Sequence, residues 1–210
     1  MHRFARLFEA LDQTTKTNTK VSLLAEYFRE APASDRLWTI ALLSHKRPKR
    51  AVNTTMLRTW AAEEANLPLW LFEESYHIVG DLAEAIALVL PKPSKTSDKS
   101  LTEWIEILIE IREYSDERKR EIITSAWAEL DHRQRFIFNK IITGGFRIGV
   151  SQKLMTRALA RATDIDENVL MHRLMGSWNP YNTSFRELVL EKQEDEDLSK
   201  PYPFYLAYAL

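Results

Sequence analysis

HRQRFIFNKIITGGFRIGVSQKLMTRALARAT, residues 132–163, is the stretch on which the reading of this chain turns. Apolar residues recur three and four apart from Phe136 to Ile142, and three glycines then fall within six positions, at Gly144, Gly145 and Gly149. Ser151 opens a second run in which Leu154, Ala158 and Leu159 keep the same spacing. That spacing is the face of a helix, glycines end helices, and a serine just ahead of a periodic run is a helix N-cap. The segment therefore reads as helix, glycine turn, helix.

The same period extends outwards over most of the chain, which holds only five glycines in 210 residues. It predicts helices near 2–12, 20–31, 35–44, 54–65, 69–78, 81–90, 101–113, 116–130, 132–142, 151–163 and 166–176, an all-α fold. The polar segment 91–100 carries Pro91 and Pro93 and reads as a surface connection, so a helical domain over 1–177 is expected to have halves at about 1–90 and 101–177. Beyond Ser177 the period fails: a turn at Trp178-Asn179-Pro180-Tyr181, a short helix near 184–190 and an acidic linker from Glu191 to Asp197 are expected, followed by an ending rich in aromatics and prolines at 200–210.

Composition narrows the function. Hydrophobic residues make up 45% and charged residues 28%, and no apolar run approaches the roughly 20 residues of a membrane span, so a soluble protein without a membrane partner is expected. The N-terminus alternates charged and apolar residues and lacks the form of a signal peptide, and there is no cysteine; both fit a cytoplasmic location. Zinc–thiolate sites and thiolate nucleophiles are excluded. The histidines, His2, His45, His77, His132 and His172, stand at no metal-ligand spacing, so neither a metal site nor a catalytic site is expected. The tryptophans, Trp38, Trp60, Trp70, Trp104, Trp127 and Trp178, read as core.

A net charge of −1 conceals a strong segregation. Between Arg36 and Ala62 there is no carboxylate, while Arg36, Lys46, Arg47, Lys49, Arg50 and Arg58 are all basic. Between His132 and Thr163 there is again none, against Arg133, Arg135, Lys140, Arg147, Lys153, Arg157 and Arg161. The two windows hold 13 of the 29 basic residues and none of the 30 acids. They also align at an offset of 98, with Val52 on Val150, Asn53 on Ser151, Met56 on Leu154 and Ala62 on Ala160, as two pseudo-repeated helix–basic turn–helix halves.

A basic turn leading into a helix N-terminus offers full charges and unpaired backbone N–H groups to a phosphate, and two of them could grip two phosphate runs. Taken singly, each feature has a second reading. Lys46 to Arg50 also fits a solvated loop, and Gly144, Gly145 and Gly149 also fit helix capping and a tight turn.

Gly144-Gly145-Phe146-Arg147-Ile148-Gly149-Val150-Ser151, followed by Leu154 and Ala158-Leu159-Ala160, resembles the glycine–arginine signature of the N-terminal domains of ATP-dependent DNA ligases. Tyr76-His77-Ile78-Val79-Gly80-Asp81-Leu82-Ala83-Glu84 is similar to the Gly-Asp-Leu turn of that domain, and Thr15 to Lys20 to its opening segment. Pro68-Leu69-Trp70-Leu71-Phe72-Glu73-Glu74 is closest in style to bacterial members. The resemblance implies an all-helical, pseudo-symmetric domain that binds the minor groove and phosphates of nicked duplex DNA, in replication, repair and recombination. Carried over residue by residue, it implies DNA-backbone contacts by Gly144, Gly145, Arg147 and Gly149, with Ser151 and Lys153 opening the following helix beside it; Gly80 and Arg157 are further candidate DNA-binding residues. Lys46, Arg47, Lys49 and Arg50 come from the repeat instead. Many members carry a second basic residue where this chain has Gly145, so the turn is expected to rely on backbone N–H groups and Arg147.

The ligase reaction needs a lysine in a Lys-x-Asp-Gly motif. The five glycines follow Val79, Thr143, Gly144, Ile148 and Met175, so no Asp-Gly pair exists here. The chain is therefore expected to be inactive alone and to hold no cofactor, with ATP and Mg expected for a full-length ligase, whose catalytic domain would follow residues 178–210 and act as its partner. The competing reading is a helical protein-interaction module with a basic docking surface. A helical glycosylase-like enzyme is a more distant rival, lacking a catalytic pair.

Overall fold

The computed structural model describes residues 1–146 and 148–191. Arg147, the acidic linker beyond Glu191 and the aromatic ending lie outside the described residues. Among the described residues eleven α-helices run α1 (His2–Asp12), α2 (Thr17–Glu30), α3 (Ala33–Leu43), α4 (Thr54–Glu64), α5 (Leu69–Val79), α6 (Leu82–Val89), α7 (Leu101–Glu110), α8 (Asp116–Glu129), α9 (His132–Thr143), α10 (Gln152–Thr163) and α11 (Glu167–Met175). A 3-10 turn (Ile111–Glu113) follows α7 and a π-helical turn (Arg186–Leu190) follows α11, and no strand occurs among the described residues. No described helix is long and apolar enough to cross a membrane.

The helix starts follow local chemistry. Ser100 accepts from the Glu103 N–H while the Glu103 carboxylate accepts from the Ser100 N–H, and Asp131 and Gln134 do the same ahead of α9. Asn53, Asp81 and Ser151 cap α4, α6 and α10 through the amides of Met56, Glu84 and Leu154. α2 starts at Thr17 rather than near residue 20, because Thr17, Asn18 and Thr19 occupy a first turn whose amides need no intrahelical acceptor.

Among the described residues two compact units form, each from non-consecutive segments: Met1–Glu9 with residues 47–146, and Ala10–Lys46 with residues 148–191. In the first, α6 lies along α9, and α4, α5 and α6 pack on one another. Leu57, Phe72, Ile86, Leu101, Trp127 and Phe138 are fully buried there, at about 1.5–3 kcal/mol of stabilisation for each large side chain. Phe146, just past the glycines, is clamped by Phe4 and Phe8 with ring centroids 6.1 and 5.7 Å away. This fixes the exit of the glycine turn. In the second unit α10 packs on α2 and α11, burying Leu24, Phe28, Met155, Leu159 and Leu170.

The expectation that the tryptophans are core holds for Trp38, Trp60, Trp104 and Trp127, which are buried, but Trp178 is only half-buried and Trp70 is 67% exposed. α5 is anchored through Phe72, its one buried residue, and two positions along a helix turn Trp70 to the opposite side.

Candidate nucleic-acid interface

Most of the cations in the acid-free windows are engaged inside their own unit. The Arg135 guanidinium is buried and donates to the carbonyls of Trp127 (2.6 Å) and Pro91 (2.6 Å), tying the last turn of α8 and the segment after α6 to α9; burial pushes its pKa down, against the pull of Asp131. Arg133 pairs with Glu9 at 2.9 Å, Arg58 with Glu73 at 3.0 Å, and Arg161 donates to Ser22 Oγ at 2.9 Å. Arg36 donates to the carbonyls of Ala31 and Arg29.

The sequence-predicted turn 46–50 divides between the units. Lys46, in the second, donates to the Trp178 carbonyl at 2.8 Å, and its Nζ stands 3.8 Å from the centre of the Trp178 ring; burial lowers its pKa. In the first unit, Arg47 and Arg50 reach the last carbonyls of α9, Ile142 at 3.5 Å and Thr143 at 3.4 Å. Both bonds are long, and both put positive charge at the negative end of the helix. Lys49 is exposed and has no ion-pair or hydrogen-bond partner among the described residues.

The backbone around this turn is built for glycine. Gly144 has φ 88° and ψ −179°, and its N–H donates to the Lys140 carbonyl at 2.8 Å. A Cβ there would stand 2.5 Å from Arg47 Nη1 and 2.8 Å from its Cζ. The guanidinium occupies the space a side chain would fill. Gly145, at φ 98°, is exposed, and Lys140 Nζ lies 3.6 Å from where its Cβ would be. Gly80, at φ 79°, closes α5 and has nothing within 4 Å of that position, leaving its backbone open on one side.

Lys140 is buried and paired with Asp81, whose other oxygen caps α6 by accepting from the Glu84 N–H at 3.1 Å. This pair links the Gly80 turn to the last helical turn before Gly144. Between the two turns lies an open cleft of about 420 Å³, lined by Thr54, Arg58, Tyr76, Gly80, Asp81, Leu82, Thr143 and Gly144. Thr54 and Leu82 are the first residues of α4 and α6, so two helix N-termini face the cleft, and Lys140 offsets the Asp81 carboxylate beside them. Sequence reasoning missed the parts played by Thr54, Arg58, Tyr76 and Asp81. The Gly-Asp-Leu pattern marked the turn, but no local signal pairs Asp81 with Lys140.

In the second unit, buried Lys20 donates to the Ile148 carbonyl, and its Nζ lies 3.1 Å from the position of a Cβ on Gly149, which has φ 63°. Ser151 caps α10, whose first turn exposes Lys153; Arg157, half-buried, follows one turn later. Neither cation has an ion-pair or hydrogen-bond partner among the described residues. No group of three or more His, Asp or Glu among the described residues could hold a metal ion.

Residues 1–160 match the family model described as the DNA ligase N terminus. A protein of Dictyoglomus thermophilum described as a probable DNA ligase is 27% identical over 184 residues, 79% of this chain and 30% of its own length. The chain thus spans less than a third of that relative.

Proposed function

The chain belongs to the DNA ligase N-terminal family, and on that premise we propose that it binds duplex DNA through the sugar-phosphate backbone and holds a nick in register for sealing. The role is positioning rather than bond-making. The observation that carries this reading is the extent of the family match: residues 1–160 take in all twelve candidate residues, from Lys46 to Arg157. The paired turns at 46–50 and 144–151 serve, in this reading, as two phosphate grips, one at each acid-free window. ATP, Mg and the adenylated lysine belong to other parts of a ligase, since no Asp-Gly pair exists in these 210 residues.

The internal engagement of most window cations sharpens the expectation. Lys49, Lys153 and Arg157 are the candidate cations without an internal partner among the described residues, so about three phosphates are neutralised by them and the slope of log K against log salt is roughly −3, steeper if Arg147 joins. Base specificity is weak, because phosphate contacts carry no base information. Fluorescence anisotropy of the 210-residue chain against nicked, intact and single-stranded DNA at several salt concentrations tests this. Duplex binding is expected, and alanine at Lys49, Lys153, Arg157 or Arg147 reduces the slope by about 1 each. Slopes unchanged in all four folded variants, or no binding at low salt, reject the reading.

A further inference from the structure

α5, LWLFEESYHIV, is among the more apolar helices of the chain and yet buries only Phe72. Its outward side carries Trp70 (67% exposed), Leu71 (37%) and Ile78 (86%). Trp70, Glu74 and Ile78 stand four residues apart and form one line along the helix, with Leu71 and His77 beside it. Glu74 is exposed and has no partner among the described residues, so a bare carboxylate sits midway between two exposed apolar side chains. Tyr76 and Gly80, which line the cleft described above, lie roughly opposite this line, two positions along the helix from Ile78. The candidate DNA interface does not use it.

We propose that this face of α5 is a docking surface for a basic amphipathic segment of a partner protein. Its apolar side chains seat on Trp70 and Ile78, and a Lys or Arg between them meets Glu74. Charge complementarity selects this occupant. Nucleic acid and anionic lipid would bring negative charge against Glu74. A second copy of the chain packing across a two-fold axis at the middle of α5 would set Glu74 against Glu74, because such an interface joins the same patch on both subunits. A cationic segment removes that penalty. Three turns of helix presenting apolar anchors on one face match the way an amphipathic helix is received by a complementary surface.

The test uses the full 210-residue chain and two fluorescein-labelled, helix-forming peptides of about 18 residues, one of Leu, Ala and Lys and the other with Glu in place of Lys. The lysine peptide is expected to bind, and Trp70→Ala and Glu74→Lys each weaken it by about tenfold or more. Glu74→Lys is expected in addition to gain binding of the glutamate peptide. All the altered side chains are exposed, and circular dichroism verifies that the variants fold. Duplex DNA binding measured on the same variants is not expected to weaken, which separates failure here from failure of the DNA reading. The proposal is overturned if the lysine peptide does not bind or binds all variants equally. It is also overturned if sedimentation finds a dimer that Trp70→Ala dissolves, which would assign the face to self-association.

Discussion

Replacing Gly144 with alanine isolates what the Arg47–Gly144 contact contributes. The backbone there, at φ 88° and ψ −179°, is a region that residues with a Cβ enter only at a cost of about 1–3 kcal/mol. The new methyl would also stand 2.5 Å from Arg47 Nη1. That atom is the far end of a flexible side chain, so Arg47 swings away and forfeits its 3.5 Å bond to the Ile142 carbonyl, worth about 0.5–1 kcal/mol. Loss of glycine entropy in the unfolded chain returns about 0.4–1 kcal/mol. The net cost is about 2 kcal/mol, or about 4–8 °C in Tm for a chain of this length. Gly80→Ala is the internal control: it too has positive φ, at 79°, but nothing within 4 Å of its Cβ, so its loss is smaller. Differential scanning calorimetry of the parent, Gly144→Ala, Arg47→Ala and the double variant gives the comparison. The double variant should cost less than the two singles added, by about 0.5–1 kcal/mol. Simple additivity, or a Gly144→Ala shift no larger than that of Gly80→Ala, would falsify the packing argument.

Lys140→Met leaves the Asp81 carboxylate without its partner, and because Asp81 stays partly exposed the cost falls below the range for a fully buried pair, at about 2–3 kcal/mol by urea unfolding; a loss under about 0.5 kcal/mol would mean that the pair is idle. Asp131→Ala removes the cap of α9 and costs about 1 kcal/mol, with the first signs of opening expected in hydrogen exchange of the α9 amides. The Glu103 pKa is held below its ordinary value, first by the Ser100 backbone N–H and then by the Ser100 hydroxyl. With its folded pKa below the unfolded one, its contribution is present above the unfolded pKa and is lost as pH falls through the folded one, so Glu103→Gln, which removes the titrating group, should flatten the acid limb of a Tm–pH profile and leave its shape near neutral pH unchanged.

The eleven α-helices of the described residues were legible, most of them to within a residue or two, because each rests on short-range physics: apolar spacing, a cap such as Asn53, Asp131 or Ser151, and a glycine such as Gly80 or Gly144 at the end. The charge segregation was legible as well, and with the glycine signature it led to the family that the match over 1–160 bears out. The destination of each charge was not legible. Arg47 lies 97 positions from Gly144, Asp81 lies 59 from Lys140, and Lys20 lies 128 from Ile148, yet in each case a cation meets a glycine, a carboxylate or a carbonyl that no local pattern pairs with it.

Sequence alone therefore established the helices, their ends, the acid-free windows and the family, since these follow from periodicity, capping and composition along a continuous chain. Tertiary structure decided which cations are consumed at helix C-termini and ion pairs and which have no partner among the described residues. It also decided that non-consecutive segments build each unit, and that Trp70 faces outwards while four other tryptophans are buried. These outcomes depend on which distant surfaces pack together, and packing is settled by the joint burial of many side chains rather than by the neighbours of any one residue.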